Sequence, residues 1–380
     1  MLNQNTKPTL LLLITEDWYF WSHRLPIARA AQSVGFKVII ATRIDKHKEL
    51  IEQEGFRLIP ILLKRKNYNP FKEILSLLEI IQIYRSERPT IVHHVAMKPI
   101  LYGSLAAWFT GITGVVNALA GLGHIFISKE PKTFIFRLII KRIFQILLNR
   151  SNTRVIIQNP DDRQLLMSGC SLGPNKLRLI NGAGVNTNEF NYVPELGGIL
   201  LVILASRMLW DKGIIEFVNA AEILKKKNIQ ARFALVGRVD EESPSAIPIS
   251  QLEKWNNAGV VEWWGHSDKM PQIFAQSHIV CLPTFYGEGI PKVLIEAAAS
   301  GRPIVTTNTP GCREIVRNGV NGLLIPPKNV QALADALQFL IENPDIRREM
   351  GVRGRNIAVN EFSEEKVVKE TMAVYEELLA

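Results

Sequence analysis

Two glutamates and two cations are the residues of this chain best placed to do chemistry. Glu288 and Glu296 lie in the run T-F-Y-G-E-G-I-P-K-V-L-I-E-A-A-A-S-G-R-P-I-V-T-T, residues 284–307. A carboxylate only accepts hydrogen bonds, so Glu288 in a Gly-flanked turn suits hydroxyl groups, and Glu296 in the following helix suits a second set such as those of a ribose. Pro291 opens that helix, and the amides of Gly289 and Ile290 near its N-terminus can meet phosphate or sugar oxygens. Arg207 and Lys212 stand in A-S-R-M-L-W-D-K-G, after a buried strand and before a helix. Arg grips two oxygens with a planar fork and Lys supplies a mobile point charge, a combination suited to a diphosphate. A plain surface Arg and Lys is the competing reading of that pair alone; the two-glutamate unit tips the balance. Neither G-x-x-x-x-G-K-[ST] nor G-x-G-x-x-G occurs, so P-loop hydrolysis and ordinary dinucleotide binding lose support.

These residues need strands that end at one edge. Buried runs at 9–15, 37–42, 57–60, 91–95, 114–119, 153–157 and 177–180 alternate with helical patterns at 25–33, 46–54, 70–87, 99–109, 133–149 and 160–168. A second alternation begins at 199, with strands at 200–206, 231–236, 260–263, 279–282, 303–306 and 322–325. Such alternation implies α/β architecture with parallel, doubly wound sheets. The expected layout is two Rossmann-like domains facing a central cleft, 1–190 and 199–362, joined by a linker at 191–198. A last helix, 363–380, is expected to pack back toward the first domain. Ligands in such sheets sit beyond the C-terminal ends of the strands.

The 380 residues carry a formal charge of +9, unevenly spread. Residues 1–196 hold 25 Lys/Arg against 14 Asp/Glu, and the remainder 20 against 22. A basic first half calls for a polyanionic partner; aromatics do not interleave with the basic residues, which favours an anionic membrane surface over nucleic acid. Cys170, Cys281 and Cys312 form no C-x-x-C pair, so a disulfide framework or zinc site is not expected and a reducing cytoplasm fits. The apolar run 10–14 meets Glu16 and Asp17 at once, as a core strand rather than a secretory signal would. Residues 99–123 lack charge, but the Thr110–Thr113 break divides them into a helix and a strand. Along 133–149, Arg137, Lys141 and Arg142 share one arc while apolar residues fill the rest. That pattern fits a helix lying in a membrane interface, or one buried between a sheet and its neighbours. Lys64-Arg65-Lys66 is a second basic cluster, read as a solvated loop.

Taken together, A-S-R…D-K-G, Y-G-E-G-I-P-K-V-L-I-E-A and T-P-G-C-R-E-I-V…N-G-L-L-I-P-P resemble retaining glycosyltransferases of family four, with the GT-B fold. In the first half, W-Y-F-W-S-H-R-L-P-I-A-R-A-A, H-H-V-A-M-K-P-I-L-Y-G-S-L-A-A, A-L-A-G-L-G-H-I-F and I-Q-N-P-D-D-R are similar to the bacterial branch that extends undecaprenyl-diphosphate-linked sugars. The resemblance implies a sugar, by preference an N-acetylhexosamine, moved from a UDP-sugar to a polyprenyl-diphosphate-linked saccharide at the cytoplasmic membrane face. It implies that Arg207 and Lys212 hold the diphosphate, Glu288 the donor sugar and Glu296 the ribose, with Gly289, Ile290, Pro291, Gly237 and His266 around the nucleotide sugar. No metal and no cofactor are expected. Alternatives are a soluble family-four enzyme acting on a small metabolite or glycan, and a non-catalytic sugar- or nucleic-acid-binding module. The family's Gly-rich first loop is replaced here by Thr15-Glu-Asp-Trp-Tyr-Phe-Trp21, whose aromatics could line an acceptor surface.

His93 and His94 follow a buried strand, and alternation sends their rings to opposite sides, so one at most serves the site. His94 is taken as the catalytic candidate; a structural, hydrogen-bonded histidine is an equally good reading. His23, Arg24, His93, Lys98 and His124 are the candidates for the acceptor side.

Overall fold

The computed structural model describes residues 7–65, 69–121, 131–285 and 287–380, with the side chains of 131–137 outside the described set. The chain forms two compact units, residues 1–183 with 365–380, and residues 184–364. The stretch 191–198, read from sequence as a linker, therefore lies inside the second unit.

The first unit holds β1 (Thr9–Glu16), α1 (Asp17–His23), α2 (Leu25–Ser33), β2 (Lys37–Arg43), α3 (Lys48–Gln53), β3 (Arg57–Pro60) and α4 (Pro70–Glu87). Then come β4 (Ile91–Val95), α5 (Met97–Thr110), β5 (Gly114–Ala118), α6 (Pro131–Leu148), β6 (Thr153–Ile157), α7 (Pro160–Cys170) and β7 (Leu177–Leu179). All seven strands are parallel, in the order β3-β2-β1-β4-β5-β6-β7. Period-two alternation divides β1 cleanly. Leu10, Leu12 and Ile14 face the layer containing α2, while Leu11 and Leu13 face α4 and α5. Both sheet faces are buried, which is why β1 reads as an unbroken apolar run. The charge-free stretch after residue 97 does divide, into α5 and β5, and among the described residues no helix is long and apolar enough to cross a membrane.

Residues 17–23, expected as an aromatic loop, are helical. Phe20 is buried against Phe56, and Trp18, Tyr19 and Trp21 are half-buried on α1. Asp17 starts the helix and its Oδ2 accepts from Asp45 N at 2.7 Å and His47 N at 2.9 Å, so its carboxylate anchors the loop after β2. In its described half, α6 buries one face and exposes another. Ile140, Phe144 and Leu148 enter a core with Val155 and Ile157, whereas Leu138, Ile139, Arg142 and Ile146 are exposed.

The second unit holds β8 (Leu200–Ala205), α8 (Ile214–Lys226), β9 (Ala231–Val236), α9 (Ile249–Asn257), β10 (Glu262–Trp263), α10 (Met270–Gln276) and β11 (Ile279–Leu282). They are followed by α11 (Lys292–Ala299), β12 (Ile304–Thr307), α12 (Cys312–Ile315), β13 (Gly322–Ile325), α13 (Val330–Glu342) and α14 (Pro344–Glu361). Its six parallel strands run β10-β9-β8-β11-β12-β13, so strand order reverses between β8 and β11. The chain then returns to the first unit, where α15 (Glu364–Leu379) places Val367, Val374 and Tyr375 in the α2-side core.

Arg302 locks the second unit from within. It is 1% exposed; Nε donates to the Phe274 carbonyl at 2.9 Å and Nη2 to the Val193 and Ala275 carbonyls at 2.6 and 3.2 Å. Arg302→Ala would strand three acceptors in a low-dielectric interior. It is expected to destabilise the unit by about 3 kcal/mol, read as a lowered urea midpoint in the fluorescence of Trp210, Trp255, Trp263 and Trp264. An unchanged midpoint would refute the role.

Candidate functional site

The C-terminal edge of the second sheet collects the charged residues. Arg207 follows β8, and its Nη1 lies 2.5 Å from Oδ2 of Asp240, which follows β9. Lys212 closes a single 3-10 turn, Trp210–Lys212, and is only 9% exposed. Its Nζ donates to Glu288 Oε2 at 2.5 Å. The Thr284 hydroxyl lies 3.1 Å from Glu288 Oε1 and 3.0 Å from the Asp211 carbonyl oxygen, joining the β11 loop to that turn. Phe285 N donates to the same carbonyl at 3.2 Å.

Three glycines let these loops approach at backbone distance. Gly213 has φ +77° and a Cβ there would fall on the Pro283 carbonyl; Gly237, at φ +146°, would clash with the Ser206 carbonyl. Gly311, at φ +82°, would strike the Gly289 carbonyl. Each joins the loops of neighbouring strands, and each sits where an L-residue would be strained. Gly237 N also donates to Gly265 O at 2.7 Å, which sets His266 on the same corner. His266 is exposed and its Nε2 lies 3.0 Å from Asp268 Oδ1.

Charge is balanced inside this edge. Burial raises the Asp211 carboxyl above the usual range, with Lys212 opposing, Glu288 adding to the rise and Arg207 lowering it. One side chain thus feels all three charges expected at the site, so they share one neighbourhood. Glu296 sits in the second turn of α11; burial raises its carboxyl, and Lys292 Nζ at 3.2 Å pulls the other way. The α11 N-terminus has Pro291 as its cap residue and no side-chain cap, so its first amides have no capping side chain to bond. Among the described residues, no group of three or more His, Cys, Asp or Glu is arranged to hold a metal ion.

The first unit treats its candidates differently. His94 is fully buried on the α5 side; Nε2 meets Tyr84 Oη at 2.8 Å and Nδ1 meets Asn117 Oδ1 at 2.8 Å. Gly103 packs on its ring, where any Cβ would collide. Burial lowers its pKa to about 4, and both nitrogens are occupied, so the expectation of a catalytic His94 is corrected: it is a core residue. His93 faces the opposite side and bonds Tyr375 Oη through Nδ1 at 2.6 Å. Lys98 Nζ meets Glu73 Oε1 at 2.9 Å and the Lys64 carbonyl at 3.0 Å, so in this structure it is held by the protein itself. His23 is half-buried, stacked on Tyr19 at 4.2 Å, with Nδ1 2.6 Å from Ser22 Oγ. Arg24 is buried. Ala96, between β4 and α5, holds φ +76° and ψ 166°, a strained backbone for alanine at a strand's C-terminal end. His124, and Arg137 as a side chain, lie outside the described residues.

Asp240, Asp211, Thr284 and Gly311 belong to the charged edge and were not singled out from sequence. Asp240 carried a usable signal, an acid four residues past β9 in a sheet whose β8 loop ends in a cation.

Residues 9–159 match the family described as glycosyl transferase 4-like, and residues 190–357 match glycosyl transferases group 1. The chain is 25% identical over 369 residues to the N,N'-diacetylbacillosaminyl-diphospho-undecaprenol alpha-1,3-N-acetylgalactosaminyltransferase of Campylobacter jejuni, covering 94% of this chain and 95% of that one. It is 24% identical to an Escherichia coli UDP-Gal:alpha-D-GlcNAc-diphosphoundecaprenol alpha-1,3-galactosyltransferase, over 82% of this chain and 81% of that one. Among solved structures it resembles Anabaena Alr3699/HepE in complex with UDP, with TM-score 0.76, 18% identity and coverage of 97% and 100%. Sucrose-phosphate synthase of Thermosynechococcus elongatus aligns at TM-score 0.79, 20% identity and coverage of 98% and 99%.

A carboxyl raised by burial is a carboxylate that the fold disfavours. Stability that Glu296 allows below its unfolded pKa is lost as pH rises through its folded pKa. Glu296→Gln is therefore expected to raise the thermal midpoint at pH 8, the gain vanishing as pH falls into the ordinary carboxyl range. A gain that persists at pH 4 would contradict this assignment.

Proposed function

Since its first half belongs to the glycosyl transferase 4-like family and its second to glycosyl transferases group 1, the chain is a glycosyltransferase with the GT-B fold, and we propose that it transfers a sugar from a UDP-sugar to a polyprenyl-diphosphate-linked saccharide with retention. The observation that carries this reading is the Lys212–Glu288 pair at the charged edge, beside Arg207. Both cations are now matched by carboxylates, Asp240 and Glu288. A nucleoside diphosphate replaces those partners charge for charge: Lys212 and Arg207 turn to phosphate oxygens, and Glu288 is released to accept from a sugar hydroxyl. The Campylobacter jejuni and Escherichia coli relatives, both undecaprenyl-diphosphate sugar transferases, support the acceptor class and an N-acetylhexosamine or hexose donor.

In the transfer, the bond from the anomeric carbon to the diphosphate oxygen breaks and its electron pair leaves on phosphate. The acceptor hydroxyl bonds to the same face of that carbon and gives its proton to the departing phosphate oxygen. No side chain needs to act as base on this route. The protein's share is placement and stabilisation of the charge that grows on phosphate, through Arg207, Lys212 and the amides before α11. Charge stabilisation by side chains and amides makes this reading metal-independent. Glu296 serves the ribose.

Peripheral membrane binding is part of the reading. On α4, Phe71, Ile74, Leu75 and Leu78 follow i, i+3, i+4, i+7 spacing and are all exposed, Phe71 by 79%. Lys72 and Arg85 are exposed on the same helix, and Leu138, Ile139, Ile146 and Arg142 on α6. Apolar residues among cations suit the interface of an anionic bilayer.

Lys212→Ala and Glu288→Ala are each expected to lower transfer from UDP-sugars to a lipid-linked acceptor by about 10²-fold, with circular dichroism unchanged; full activity in either would overturn the assignment. Lys141→Gln with Arg142→Gln is expected to weaken sedimentation with phosphatidylglycerol vesicles by at least about tenfold, at about 1 kcal/mol per cation. Equal sedimentation of variant and parent would point to an enzyme that works away from the membrane.

A further inference from the structure

The first unit contains a small cavity lined by Arg24, Ile27, His93, Ala118, Ile156, Ile180, Gly182, Val367 and Thr371. It has room for one water-sized sphere. Two of these lining side chains, 3% and 1% exposed, each carry a buried polar atom with no hydrogen-bond partner among the described residues, Arg24 Nε and His93 Nε2.

The protonation pattern of that wall follows from its hydrogen bonds. Burial raises the pKa of Tyr375 and lowers that of His93, so a neutral phenol meets a neutral imidazole. Among the described residues, the only partner of the Tyr375 hydroxyl is His93 Nδ1 at 2.6 Å. If Nδ1 carried the proton, the phenol hydrogen would have no acceptor in an apolar interior. Nδ1 therefore accepts, which leaves His93 Nε2 protonated and directed at the cavity. Thr371 gives its hydroxyl proton to the Val367 carbonyl at 2.8 Å. The wall then presents two N–H donors and the charge of a guanidinium.

Arg24 differs from the other buried arginines. Arg302 is met by three carbonyls, and Arg347 by both oxygens of Glu195 at 2.8 and 3.0 Å. Among the described residues the Arg24 guanidinium makes one hydrogen bond, Nη1 to the His23 carbonyl at 3.4 Å, and no carboxylate pairs with it. A buried, uncompensated cation is costly, and a neutral water removes only part of that cost.

We propose that this cavity binds a single anionic atom between Arg24 Nε and His93 Nε2, either a free halide or one oxygen of a phosphate. The bound atom ties three elements together: the α1–α2 junction through Arg24, β4 through His93, and α15 through the His93–Tyr375 bond. It acts as an anion-dependent staple of the C-terminal helix onto the first sheet. The site does not depend on the transferase reading, so loss of one leaves the other standing.

The test uses the full chain exchanged into sodium gluconate as the reference salt. Sodium chloride, sodium bromide or sodium phosphate is then added at constant ionic strength. A saturable rise of the thermal midpoint by about 2–4 °C is expected, together with slower amide exchange along α15. Response to halides alone identifies a halide site; response to phosphate alone identifies a phosphate oxygen. Arg24→Met, which removes the cation, is expected to abolish the response. Should that variant fail to fold, crystals of the parent soaked in bromide decide a halide-responsive site, and phosphate-grown crystals a phosphate-responsive one. Anomalous scattering or phosphate density between the two nitrogens is expected, respectively. A midpoint indifferent to all three salts, a response unchanged in Arg24→Met, or a water alone in the cavity would overturn the proposal.

Discussion

Both sheets are parallel and covered on both faces, and most of the structure follows from that constraint. A strand buried on two sides has nowhere to put charge along its length, so alternation sends Leu10, Leu12 and Ile14 to one core and Leu11 and Leu13 to the other. Polar chemistry is pushed to the strand ends. In the second unit those ends bring Arg207, Lys212, Asp240 and Glu288 together, although they come from three separate strand-to-helix connections. The reversal of order between β8 and β11 leaves the loops of those adjacent strands free to diverge, and the charged turn lies there.

Cations at such an edge must be neutralised while no ligand is bound. Asp240 and Glu288 do this for Arg207 and Lys212, so the edge already contains negative charge of the kind a diphosphate carries. On the proposed reading, binding exchanges one set of oxygens for another, which limits the desolvation cost of seating two phosphates. Gly213, Gly237 and Gly311 are the backbone counterpart of this arrangement. Each brings one loop into contact with a neighbouring carbonyl, holding the charged side chains within reach of a shared ligand.

The two neighbouring histidines show how one strand serves different ends. His94 is absorbed into a closed network with Tyr84, Asn117 and the flat face left by Gly103. His93, one residue earlier and on the other face, bonds α15 and lines a cavity beside Arg24, which has no carboxylate partner among the described residues. Their common sequence environment gave no basis for telling them apart.

Local pattern by itself determined the alternation of strands and helices, the parallel sheets, and the strand-end edge that carries Glu288, Glu296, Arg207 and Lys212, because periodicity and Gly/Pro punctuation are short-range signals. It also determined that His93 and His94 point to opposite sides. Tertiary structure alone decided what each met there: Tyr375 lies 282 residues from His93, and no local pattern encodes such a contact. The same holds for Asp240 as the partner of Arg207, 33 residues away. Helix α1 was hidden because Trp18, Tyr19 and Trp21 read as an aromatic loop, whereas Phe20 packed on Phe56 and Asp17 bonded beyond β2 hold it in place. Spacing along the chain sets which face a side chain takes; only folding sets which charge, ring or void it finds there.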